Sequence, residues 1–197
     1  MEEKRCGWCL SSPLYQRYHD EEWGFPVTDE AILFEFLLLE GAQAGLSWIT
    51  VLNKRENYRR LFDNFNAEKI ARYTPRKIEK LLQDPGIIRN RLKVESAVKN
   101  ARATLALKEK GQTLADFLWQ FTDGRVIVNN PRSLEQVPAS TPTSDAMSKA
   151  LKKAGFSFVG STIMYAHMQA TGMVNDHLDS CPAHQRCVDE ATALGLL

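Results

Sequence analysis

What this chain lacks narrows it first. In 197 residues there is no apolar run long enough to span a bilayer, and the opening stretch MEEKRCGWC does not read as a signal peptide. The expected setting is therefore the cytoplasm, with no membrane partner. There are no internal repeats and no low-complexity segments. Strand-like sequence is almost missing: Val126-Ile127-Val128 is the only such run, and it is too short for a sheet. Cysteine is scarce, at four residues. In a reducing compartment four thiols point to metal or redox chemistry before disulfides.

The rest of the composition is that of an ordinary globular chain, with 44% hydrophobic and 25% charged residues. The length suits a single domain over residues 1–197, expected to be a monomer with a sizeable core. The net charge of +1 hides an asymmetry. Residues 69–110 hold 12 Lys/Arg against 4 Asp/Glu, whereas residues 1–68 hold 7 against 12. A basic middle between acidic ends fits a local phosphate-facing surface, and equally a set of solvated helix faces.

Helical signals recur along the chain and predict an all-α fold. The most informative stretch runs from Asp29 to Phe62. A helix opening at Thr28 or Asp29 carries Ile32, Leu33, Phe36 and Leu37 at amphipathic spacing. Glu40 then ends the apolar run Leu37-Leu38-Leu39, where a carboxylate needs a partner if buried. Gly41 and Gly45 bracket a turn, and Ser47 caps the next helix with Trp48 just inside it. One bend thus brings together an acid, Gln43, Leu46 and an indole.

Downstream, Asn66 and Thr74 are N-caps, and Pro75–Gln83 forms a helix ending at Asp84-Pro85-Gly86. A second helix is predicted from Arg89 to Lys110. This pair, spanning about residues 75–110, forms a hairpin with Arg89, Arg91 and Lys93 beyond a Pro-Gly turn. Amides there would point outward and favour an anion such as a DNA phosphate. Thr113 and Asp116 make a capping-box-like start for Leu114–Phe121. Further helices are expected from Ser144 to Ala154 and from Phe158 to Thr171, the latter as the last long helix and central core.

Metal chemistry is open to two readings. Cys6 and His19 near one end, with His177 and Cys181 as an H-x3-C pair near the other, would make a closed tetrahedral zinc site that clips the termini together. Alternatively Cys6-x2-Cys9 supplies half of the site, or a redox dithiol. His184, Cys187 and Cys9 are spare in the first reading.

The motifs Cys6-Gly7-Trp8, Tyr18-His19-Asp20-x-Glu22-Trp23-Gly24 and Leu39-Glu40-Gly41-x-Gln43-Ala44-Gly45-Leu46-Ser47-Trp48 carry a resemblance. So do Lys149-Ala150-Leu151-Lys152-x-x-Gly155-Phe156, Phe158-Val159-Gly160 and Gly172-x-Val174-Asn175-Asp176-His177. Together they closely resemble the bacterial 3-methyladenine DNA glycosylase I family. The likeness covers almost the whole chain and thins after Cys181, with Cys9 as one departure.

The resemblance implies a helix-hairpin-helix glycosylase fold and a structural zinc on Cys6, His19, His177 and Cys181. It implies a DNA-repair hydrolase that removes 3-methyladenine from alkylated double-stranded DNA, with the free base as product. Glu40 would be the catalytic acidic residue, ionised to meet the cationic base. Tyr18, Trp48, Trp8 and Trp23 would form the base pocket. Gln43 and Leu46 would fill the gap in the duplex, and Gly86, Arg89 and Arg91 would hold the backbone. The helix after the hairpin offers only Glu109 in a Lys-Glu-Lys run, so no dedicated carboxylate base is expected. No lysine stands in a nucleophile role, so no strand cleavage is expected.

Overall fold

The computed structural model describes residues 4–197. The first three residues of the opening stretch lie outside them. Eleven α-helices make up the described chain: α1 (Pro13–Glu21), α2 (Glu30–Gln43), α3 (Trp48–Leu52), α4 (Arg55–Leu61), α5 (Ala67–Ile70), α6 (Pro75–Gln83), α7 (Arg91–Glu109), α8 (Leu114–Trp119), α9 (Pro142–Lys153), α10 (Ser161–Ala170) and α11 (Pro182–Ala193). No helix among the described residues is long and apolar enough to cross a membrane.

The fold is arranged around α2. Asp29 caps it by accepting from the Ile32 amide at 3.0 Å, and every residue from Leu33 to Ala42 is buried. Helices α3, α7, α8 and α10 pack around it. A helix apolar on nearly all sides can sit only in such a position. Of the predicted apolar face, Leu33, Phe36 and Leu37 are buried, but Ile32 is 40% exposed because it lies in the first turn, outside the packed length. Gly41 belongs to the helix and not to the turn: a Cβ there would stand 3.3 Å from the Phe158 Cβ. The chain reverses at Gly45, whose φ of +78° suits glycine.

Helix starts are set by caps. Thr74 accepts from the Lys77 amide, and Asn66 from the Lys69 amide. Thr113 and Asp116 form a reciprocal capping box. Three boundaries differ from expectation. Helix α7 starts at Arg91 because Asn90 accepts from the Lys93 amide, leaving Arg89 in the connection. Helix α9 starts at Pro142, with Thr141 as the cap and Ser144 as the third residue of its capping box. Phe158 adopts a φ of +54°, so α10 cannot begin there and starts at Ser161.

Two further corrections concern the C-terminal third. Val126–Val128 does pair: β1 (Ile127–Val128) lies parallel to β2 (Val174–Asn175), with Ile127 opposite Val174 and Val128 opposite Asn175. And α10 is not the last long helix. Pro182 opens α11 at its first position, where a missing N–H costs nothing, and Ala183, Cys187 and Ala191 are buried on it.

Candidate active site and metal-ligand cluster

Between α1, α2, α3 and α10 lies a cavity of about 320 Å³. All four expected aromatics, Trp8, Tyr18, Trp23 and Trp48, line it, together with Glu40 and Gln43. The rings brace one another. Tyr18 and Trp48 have centroids 5.5 Å apart, and Trp8 and Trp23 lie edge to face at 5.0 Å. Behind them Phe36 stacks on Trp48, with the Arg55 guanidinium 5.1 Å from the Phe36 centroid. Arg55 is itself buried and donates to Glu35 and Glu22, each at 2.7 Å. The wall is therefore fixed by packing and by ion pairs on its far side.

Glu40 sits in the last turn of α2, only 4% exposed. No group among the described residues donates to its carboxyl. Burial pushes its pKa from an ordinary 4.5 to about 8, with no opposing cause. This corrects the expectation that a buried acid here has a partner: none of the described residues supplies one, and burial favours the neutral form of the carboxyl. The Trp48 indole N–H is also buried without an acceptor among the described residues. Unpaired buried polar groups in a cavity favour an occupant that supplies the missing donors and acceptors.

Beside the cavity, the donor atoms of Cys6, His19, His177 and Cys181 lie within 4.8 Å of one another, all buried. The Cys6 Sγ is 3.6 Å from His177 Nδ1, and the Cys181 Sγ is 3.6 Å from His19 Nε2 and 3.8 Å from His177 Nδ1. Each imidazole is oriented through its other nitrogen. His19 Nδ1 meets Asp20 Oδ1 at 2.8 Å, and His177 Nε2 meets the Trp23 carbonyl at 2.8 Å. Such outer contacts fix ring and tautomer in metal sites, and the four residues could hold a metal ion. The alternative pairing does not arise. Cys9 donates its thiol to the Cys6 carbonyl, and burial raises its pKa to about 11. His184 contacts the Asn129 carbonyl, and Cys187 is a buried thiol pushed to about 12 by burial.

The methyladenine glycosylase family model matches residues 8–184. The chain belongs to the methyladenine glycosylase family. It is 52% identical to DNA-3-methyladenine glycosylase 1 of Escherichia coli (strain K12), over 90% of this chain and 95% of that protein. Among solved structures, a crystal structure of 3-methyladenine DNA glycosylase I superposes with a TM-score of 0.90 at 54% identity, covering 91% of this chain and 98% of that one. A structure addressing 3-methyladenine recognition by the Staphylococcus aureus glycosylase gives 0.88 at 33% identity, over 91% and 96%.

The residues expected to face DNA are placed as follows in this methyladenine glycosylase. Leu46 is 38% exposed at the bend, and the Gln43 side chain holds its carbonyl. Arg89 is exposed in the α6–α7 connection. Arg91 is exposed but paired with Glu79 at 2.7 Å. Gly86 packs against Asn57, and its amide donates to Asp84 Oδ1 at 2.8 Å, while the Ile88 amide donates to the Tyr58 hydroxyl. Those two amides are therefore already satisfied within the protein. The amides of Arg89, Arg91 and Leu92 have no acceptor among the described residues. Lys93 is half-buried, with its ammonium turned back onto the chain. Its Nζ donates to the carbonyls of Ala42 and Ala44 at 2.8 and 2.6 Å, closing the C-terminal end of α2. Glu109 is exposed, as its lysine neighbours suggested.

Sequence reasoning missed part of the cavity lining. Tyr15, Gln169, Asp176, Leu134 and Val137 also face it. Asp176 lies within a quoted motif and Tyr15 three residues before one, which was the available signal. Leu134 and Val137 come from a single 3-10 turn and its end, too short for any periodicity to read.

Proposed function

We propose that this methyladenine glycosylase excises 3-methyladenine from alkylated double-stranded DNA by hydrolysis of the N-glycosyl bond, without strand cleavage, as a base-excision repair enzyme. The observation that carries this is Glu40, a buried carboxyl with no partner among the described residues, inside an aromatic cavity of about 320 Å³. That combination suits a flat cationic ring.

A stacked base is out of reach, so the nucleotide must be flipped out. Leu46, exposed on a loop pinned by Gln43, would wedge into the vacated position. Helices α6 and α7 would act as a helix-hairpin-helix, with Arg89, Arg91 and the open amides at the start of α7 on the phosphates. Arg91 would exchange Glu79 for phosphate, and Gly86 would serve by letting the turn pack against Asn57.

N3-methylation gives adenine a positive charge and a weak glycosidic bond, because the base leaves neutral. The enzyme therefore needs selection more than acid catalysis. Indole and phenol rings hold a cationic ring with about 0.5–2 kcal/mol per contact. The positive ring also favours the anionic form of Glu40. Binding then ionises the carboxyl, which accepts from the adenine edge in a charge-assisted bond and releases its proton to solvent. Undamaged adenine brings no such charge and would meet a neutral acid.

The ligand set suits a structural zinc. Tetrahedral zinc with ordinary bond lengths separates sulfur from nitrogen by about 3.6 Å, close to the spacings of Cys6, Cys181 and the two imidazoles. With all four positions filled by protein, no site remains for reactive water, and the ion would clip the N-terminal segment to the stretch after β2.

The deciding assay is release of free 3-methyladenine from methylated duplex DNA. Release without strand nicking is expected; no release under any condition would refute the proposal.

A further inference from the structure

The cavity contains a second carboxylate built in the opposite way from Glu40. Asp176 follows β2 directly and is only 2% exposed, yet it lines the cavity. Three neutral side chains donate to it: Asn129 to Oδ1 at 2.7 Å, and Tyr165 and Gln169 to Oδ2 at 2.6 and 2.8 Å. Tyr165 and Gln169 lie one turn apart on α10. Asn129 follows β1, and its amide donates to the Asn175 carbonyl, so the β1–β2 bridge sets this donor too. Oδ2 takes two donors and Oδ1 one, which leaves acceptor capacity on the carboxylate. No cation of the chain pairs with it among the described residues.

Glu40 is bare, so that a ligand can become its partner. Asp176 is fixed before any ligand arrives. A side chain that only tied β2 to α10 would gain nothing by opening onto the cavity. We infer that Asp176 is a catalytic residue for the sugar: a preorganised anion that stabilises the deoxyribosyl cation formed as the base departs, and that accepts a hydrogen bond from the water that captures it. This inference rests on the glycosylase function proposed above.

The chemistry balances without a cofactor. The C1′–N9 bond breaks with its electron pair going to the base, which leaves neutral. The positive charge passes to the sugar. The water oxygen bonds to C1′, and its proton passes to solvent. A fixed dipole or charge aimed at developing charge is worth about 10²–10³ in rate. Glu40 serves the charge present at the start, and Asp176 the charge present at the transition state. The two roles separate in kinetics, since only the second leaves ground-state binding untouched.

The test is single-turnover excision from methylated duplex DNA by wild type and Asp176→Asn, beside the affinity for free 3-methyladenine, metal content and melting temperature. The expected result is a rate loss of about a hundredfold or more, with free-base affinity within about twofold and metal content unchanged. A folded D176N that excises within threefold of wild type overturns the inference. So does a parallel loss of free-base affinity and metal, which would make Asp176 structural only. Should D176N not fold, Tyr165→Phe and Asn129→Ala each remove one donor outside the cavity lining. Slower excision with unchanged free-base affinity then supports the role, and wild-type rates in both overturn it. A wild-type chain that releases no base refutes the glycosylase function itself, and this inference with it.

Discussion

His177 Nε2 stands 2.8 Å from the carbonyl oxygen of Trp23. A residue of the candidate metal-binding cluster thus holds the backbone of a cavity wall. Two others are similarly placed, with Trp8 two residues after Cys6 and Tyr18 directly before His19, and Asp176 directly precedes His177 itself. Indole contacts reinforce the join, with Trp8 5.2 Å from the His19 ring and Trp23 4.6 Å from the His177 ring.

Metal loss should therefore disturb the cavity before the rest of the fold. One zinc per chain is expected by atomic emission, retained in Cys9→Ser and lost in His177→Ala. On chelation, tryptophan fluorescence and free-base affinity should change at temperatures where the far-ultraviolet dichroism of the helices is still intact. Retained metal in His177→Ala, with loss in Cys9→Ser, would move the site.

Glu40→Gln should slow single-turnover excision of the cationic base from methylated duplex about tenfold to a hundredfold, the range for losing a hydrogen bond to a charged group. Trp48→Ala should lose a similar or smaller factor through the missing stacking and cation–π contact with the base while it is still attached. Single-turnover excision from methylated duplex measures both. Full binding and excision in the two variants would contradict the cavity assignment.

Stability should move the other way, with a defined pH dependence. The Glu40 pKa is raised by folding, so the folded chain holds this proton more tightly than the unfolded chain. The stability it contributes is present below pH 4.5 and is lost as pH climbs through about 8. Glu40→Gln removes that loss. Its melting temperature should exceed that of wild type at pH 8 and converge with it toward pH 5. Buried His167 acts in the opposite window. Its pKa is pushed down to about 4 by burial, so its stabilising effect is lost as pH falls from 6.5 toward 4. Because both proteins keep His167, their difference isolates Glu40. A wild-type melting temperature equal to that of the Gln variant at pH 8 would show that the carboxyl is not desolvated.

The three basic residues near the start of α7 should separate by salt dependence. Arg89→Ala should lower the slope of log binding constant against log salt by about 1. Arg91→Ala should lower it less, because phosphate must displace Glu79. Lys93→Met should leave the slope unchanged and reduce the melting temperature, because its ammonium closes α2. Binding to undamaged duplex at several salt concentrations gives all three slopes.

The expected aromatic cavity and ligand cluster were legible because long local motifs carried them. Cap residues made most helix starts legible too, down to Thr74, Asn66 and Thr113. What escaped depends on contacts between distant parts of the chain. The inward turn of Lys93 is decided by carbonyls about fifty residues earlier. The β1–β2 pair joins segments too short to register as strands alone. Asp176 could be seen in its motif, but its exposure to the cavity and its three donors required the fold. The upward shift of the Glu40 pKa is likewise a property of burial and not of spacing.

The ligand cluster draws on positions 6 and 19 at one end and 177 and 181 at the other. During translation, Cys6 and His19 emerge as half of a site long before their complements exist. If the four hold a metal as proposed, its capture is therefore a late event, possible only when nearly the whole polypeptide has left the ribosome. A transcript truncated before codon 177 would yield a protein that keeps α2 and Glu40 but can never close the clip.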